Sequence, residues 1–192
     1  MQVHVHNKIP VCHNGIFPTR PWSRITHIVV HRIGRELGTT CEELAAAFKD
    51  TSTPQSPGSF TAGQFPYSFF IDPDGEVHQT LYIEDVSWHA RRWSYPGLGV
   101  AVSGDFRVEP LSPKQYTALV SLCSLLAYFL RVYNLVGHTE LKNASRDPEK
   151  ECPGKFLDMD ALRTEVAEKV RGVMELDDLG RKLVLNNYGI VV

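Results

Sequence analysis

Paired cysteines, long apolar runs and a one-sided charge are all missing from this chain. Its four cysteines (Cys12, Cys41, Cys123 and Cys152) are scattered and none falls in a CxxC pair. With no secretory leader in view, that scatter argues against a disulfide framework. No apolar stretch reaches the roughly 18 residues of a spanning helix, so no membrane span is expected. A formal charge of -2 and a pI near 6.4 give no reason to expect nucleic acid or an anionic membrane as partner. The start, Met1 to Lys8, lacks a basic segment followed by an apolar core. The expectation is a protein made in the cytoplasm, which any action outside the cell would require a separate system to release.

What is present is enough for one core. At 192 residues and 43% hydrophobic, with no repeat and no second core, the chain reads as a single domain. The expected divisions are an irregular segment 1–23, a domain over 24–176 and a tail over 177–192 that packs on it. Ile25 to His31 is β-branched and apolar and predicts a buried strand. Its period of two puts Ile25, His27, Val29 and His31 on one face. Thr40 to Glu43 has the form of a capping box opening a helix. The stretch 51–66, rich in Pro, Gly and Ser, is a loop that forms either a lid or a plain surface insertion. Tyr67 to Ile71 and Glu76 to Leu81 predict a hairpin across the turn Asp72-Pro73-Asp74-Gly75. Leu98 to Val102 predicts a fourth strand. Ser112-Pro113-Lys114-Gln115 starts a core helix expected to run to about Tyr133, with Val136-Gly137-His138 as its exit. A last helix is expected from about Met159 to Leu176. His4 and His6 alternate with valines as an edge strand and read as surface histidines.

Three residues stand out as possible ligands of one metal ion. His138 follows Gly137, and Cys152 sits fourteen residues later in a Pro-Gly turn. His31 ends the first strand, where strands open onto clefts. His27 shares that face but stands roughly 13 Å away, too far to bind the same ion. Two histidines and a thiolate are ligands that zinc accepts, and three protein ligands leave a fourth position open, the pattern of a catalytic site. Cys123 is a small buried hydrophobe by context, and Cys12 and Cys41 are ordinary thiols. Lys150, two residues before Cys152, either stabilises a developing oxyanion or is a solvated surface lysine. Tyr67 either donates a hydrogen bond or assists proton transfer in the site, or is a core-edge aromatic.

Several stretches in order now carry a resemblance. They are Ile28-Val29-Val30-His31, the tract Tyr67 to Gly75, Trp88-His89-Ala90, Leu98 to Phe106, Val136-Gly137-His138 and Lys150-Glu151-Cys152-Pro153-Gly154. Over about residues 24–165 the chain resembles the zinc-dependent N-acetylmuramoyl-L-alanine amidases, which include phage endolysins and the peptidoglycan recognition proteins. The resemblance implies an α/β fold with a central mixed sheet flanked by helices. It implies one Zn2+ ion at the floor of a groove, held by His31, His138 and Cys152, with Tyr67 and Lys150 as catalytic helpers. His89 is matched to a substrate-binding histidine. The implied partner is peptidoglycan or a muropeptide, and the protein is expected to be a monomer. Ser68 stands where the family carries His or Asn. Ala101 stands where one branch carries a catalytic glutamate, which favours the Tyr-plus-Lys arrangement. The loop between His138 and Cys152 is longer than usual. A non-catalytic peptidoglycan-binding module and a zinc hydrolase of another small amide are the alternatives.

Overall fold

The computed structural model describes residues 3–5, 18–33, 38–49, 65–144 and 151–175. Lys150, most of the loop 51–66, the second half of the loop 139–149 and the tail 177–192 lie outside the described residues. Among the described residues six strands form one sheet: β1 (Val3–Val5), β2 (His27–Arg32), β3 (Phe69–Ile71), β4 (Val77–Gln79), β5 (Gly97–Val102) and β6 (Asn134–Gly137). Their order is β1-β4-β3-β5-β2-β6. Only β3 and β4, the hairpin, are antiparallel; the other neighbours run parallel. The sheet is therefore mixed, with β3 and β5 at its centre and β2 beside β5, and β2 and β5 are buried almost throughout.

Alternation along β2 and β5 divides the molecule. Ile28 and Val30, with Leu98, Val100 and Val102, face a core closed by helices α2 (Pro113–Leu130) and α3 (Met159–Met174). On the opposite face Ala101 and Phe70 pack against helix α1 (Cys41–Lys49), through Cys41, Leu44 and Ala45. Val29 packs there with Ala90, Leu141 and Ala144. That second face carries His31 at the exit of β2.

The helix starts follow their local chemistry. Thr40 and Glu43 exchange the two hydrogen bonds of a capping box at α1, and Ser112 and Gln115 do the same at α2. The end of α2 differs from expectation. It stops at Leu130 rather than near Tyr133, and residues 134–137 form β6 alongside β2 instead of a helix exit. Arg131 makes the break in the left-handed region, at φ 54°, where an L side chain crowds the backbone. No glycine or asparagine marks the stop, so the sequence gives no punctuation there. Arg131→Gly is expected to stabilise the fold by about 1 kcal/mol, raising Tm by roughly 2–4 °C in a thermal melt.

A buried carboxylate ties α1 to the hairpin. Asp72 accepts from the Cys41 backbone N–H at 2.8 Å through Oδ1 and from His78 Nε2 at 3.0 Å through Oδ2. Burial opposes a charge on His78. The Asp72 hydrogen bond, with the charges of Asp72, Glu76 and Glu42, outweighs it and raises the His78 pKa above the ordinary value. A raised folded pKa gives stability that is complete below about 6.5, the unfolded value, and lost as pH rises through the folded one. Tm is therefore expected to fall as pH rises above about 6.5 and through the raised folded value, and His78→Gln to flatten that slope.

Candidate active site

Three chain segments meet at the exit of β2. His31, His138 and Cys152 are all buried, and their donor atoms lie within 4.8 Å of one another. His31 Nδ1 stands 3.8 Å from Cys152 Sγ, and the His31 and His138 rings are 4.6 Å apart. Tetrahedral zinc, with bonds of roughly 2.0 Å to nitrogen and 2.3 Å to sulfur, needs N···S spacings of about 3.6 Å. The donor set and its spacing fit that ion. His138 Nε2 lies 3.1 Å from the Ala144 carbonyl, to which it donates, leaving Nδ1 as its ligand atom.

The Cys152 turn is gripped from both sides. Arg32, the residue after His31, donates from Nε to the Glu151 carbonyl at 2.8 Å. Arg32 is itself anchored on Asp105 at 3.2 Å. Thr139, the residue after His138, donates from its backbone N–H and its hydroxyl to the Cys152 carbonyl, both at 2.9 Å. Each histidine is thus followed by a residue that holds the cysteine segment. Gly154, at φ 116°, lets the turn lie on residue 106: a Cβ there would stand 2.5 Å from the Phe106 carbonyl carbon. Sequence reasoning missed Arg32 and Thr139. Their only signal is adjacency to the two histidines, because their partners are 119 and 13 residues away.

Tyr67 stands at the site, half-buried, its ring 5.0 Å from that of His31. Thr80 holds its backbone, donating to the Tyr67 carbonyl at 2.6 Å. Burial pushes the Tyr67 phenol well above its ordinary pKa, and neighbouring Cys152 pushes the same way, with Arg32 opposing. At neutral pH the hydroxyl is therefore a hydrogen-bond donor. His89, read from sequence as substrate-binding, lies behind His31 with only 8% of its surface exposed. Its Nδ1 is 2.9 Å from His31 Nε2 and its Nε2 is 3.3 Å from the Gly97 carbonyl. Burial drives its pKa down to about 3; the Gly97 hydrogen bond opposes, and charges on His138 and Arg20 assist. His27 takes no part in the cluster and packs edge-on against Trp93 at 5.2 Å.

This arrangement sits in a stretch that matches a known family. The profile of N-acetylmuramoyl-L-alanine amidases matches residues 21–155. The chain belongs to that family. Peptidoglycan-recognition protein SC2 of Drosophila simulans is 25% identical over 137 residues, spanning 69% of this chain and 70% of its own. The endolysin of Thermus scotoductus bacteriophage Ph2119 shares the fold at a TM-score of 0.67 and 20% identity, covering 85% of this chain and 98% of that one. N-acetylmuramoyl-L-alanine amidase LysC from Clostridium intestinale does so at 0.65 and 19%, covering 86% and 97%.

Two departures of this amidase-family chain have local explanations. Ser68 is buried behind Tyr67 with its hydroxyl 3.5 Å from that of Ser87, so a second serine answers its polarity. Ala101 pairs with His31 across β2 and β5 and packs in the apolar cluster with Phe65 and Phe70. No carboxylate stands at that position. No helix among the described residues is long and apolar enough to cross a membrane.

Proposed function

We infer that the protein is a zinc-dependent amidase that hydrolyses the bond between the lactyl group of N-acetylmuramic acid and L-alanine of the stem peptide. The observation that carries this reading is the convergence of His31, His138 and Cys152 within 4.8 Å, in a chain of the amidase family. A zinc ion there would supply Lewis acidity and activate water at neutral pH. The two imidazoles and the Cys152 sulfur would hold the ion, and the Arg32 and Thr139 contacts fix the backbone that carries that sulfur. Tyr67, kept protonated, donates toward the oxygen on which negative charge develops. Lys150 offers an ammonium to the same charge, a role that rests on its place two residues before Cys152.

The partner on this reading is peptidoglycan or a fragment of it, taken up by a monomer. A second reading draws on the likeness to a peptidoglycan-recognition protein: a module that binds the polymer without cutting it. The presence of Cys152 beside both histidines favours catalysis. Purified protein incubated with peptidoglycan is expected to release new L-alanine amino termini, to stop on chelation and to recover with added zinc. Binding without release at full zinc loading would establish the module instead.

A further inference from the structure

We propose that His89 is a positioning residue of the metal centre, fixing His31 as an Nδ1 ligand by accepting a hydrogen bond from its Nε2–H. The inference rests on His31, His138 and Cys152 being the ligands. A backbone carbonyl can only accept, so the 3.3 Å contact between His89 Nε2 and the Gly97 carbonyl puts the hydrogen on Nε2. His89 Nδ1 is then a lone pair. His31 Nε2, 2.9 Å from it, must be the donor. That leaves the lone pair of His31 on Nδ1, the nitrogen 3.8 Å from Cys152 Sγ. One carbonyl of β5 thereby sets the tautomers of two rings in series, and the second of them faces the metal position.

The sheet is built to hold this ring. Gly97 and Gly99 share the face of β5 that pairs with His27 and Val29. A Cβ on Gly99 would stand 2.9 Å from His89 Cγ and 3.2 Å from its Nδ1, and one on Gly97 would stand 3.2 Å from Cε1. Two glycines at alternate positions weaken a strand, yet here Gly99 opens a slot that the His89 ring fills, and Gly97 makes room for the Trp93 carbonyl, 2.5 Å from such a Cβ, as well as for the ring edge. The ring meets that of His31 edge-on, with centroids 5.0 Å apart and planes at 89°. A ring seated in this slot, with both nitrogens engaged by protein atoms, is set to orient a ligand rather than to touch a substrate.

The test is zinc affinity, measured by competition with a chromophoric chelator, in wild type, His89→Leu and His89→Asn. Losing the acceptor in His89→Leu is expected to weaken zinc binding by roughly 10–100-fold, the range for loss of a partner behind a metal-bound histidine. The Asn carbonyl can accept from His31 Nε2–H, so His89→Asn is expected to recover most of that loss. At saturating zinc the KM for peptidoglycan should stay unchanged in both variants. Unchanged zinc affinity with a raised KM would overturn the proposal in favour of a substrate contact. Nitrogen-15 shifts of the His31 ring in the metal-free wild type give a reading that needs no variant. The Nε2–H form is expected, and the Nδ1–H form would overturn the proposal. Wild-type protein that binds no zinc would overturn the ligand assignment itself, and this inference with it.

Discussion

Cys152→Ser is expected to lose zinc and turnover together. Structural zinc sites with four ligands bind by roughly 10–16 kcal/mol, which is about 2.5–4 kcal/mol per ligand, or on the order of 10²–10³-fold in affinity. Serine keeps the size of cysteine but not a thiolate at neutral pH, so the loss falls on the metal rather than on packing. The turn itself should survive, because Arg32 and Thr139 grip the carbonyls of residues 151 and 152 and not the sulfur. Metal analysis after dialysis should find substoichiometric zinc in a variant whose melting curve without metal matches that of wild type. A variant with full zinc content and full activity would remove Cys152 from the ligand set.

Tyr67→Phe is expected to lower kcat by about 10²–10³, the loss seen when one donor to a developing oxyanion is removed. Burial, with the nearby Cys152, raises the phenol's pKa above its ordinary value, so on the proposed reading Tyr67 serves as a donor at neutral pH. KM should change little, because the lost bond forms only as charge develops. Lys150→Ala is expected to cost about 10² in kcat with zinc retained. If both groups serve one oxygen, the double variant should lose less than the product of the single losses. Multiplying effects would place them on different steps. A Tyr67→Phe variant of unchanged rate would return the ring to packing alone.

Much of this was legible in the residues. The β-branched run before His31 marked the strand, and period two placed His31 with Val29 on the face opposite Ile28 and Val30. The Ser112 and Thr40 capping boxes marked two helix starts because their chemistry is local. Strand β6 was hidden for the opposite reason. Its four residues carry no alternation long enough to see, and the break before it falls on Arg131 in a left-handed conformation. The surroundings of His89 were out of reach too. Its partner His31 is 58 residues away, and the slot it fills shows in sequence only as two glycines in an apolar strand. Contacts made by carbonyls, as with Arg32 and Thr139, leave no mark on residue type at the accepting end.

Which bond is cut tests the proposed activity most directly. Peptidoglycan digested by the zinc-loaded protein in water enriched in oxygen-18, followed by mass spectrometry of the products, reads this in one measurement. The expected result is one heavy oxygen in the lactyl carboxylate of N-acetylmuramic acid, and stem peptides that begin with a free L-alanine amine. Label appearing in a peptide carboxylate, or no labelled product from protein that holds zinc, would contradict it.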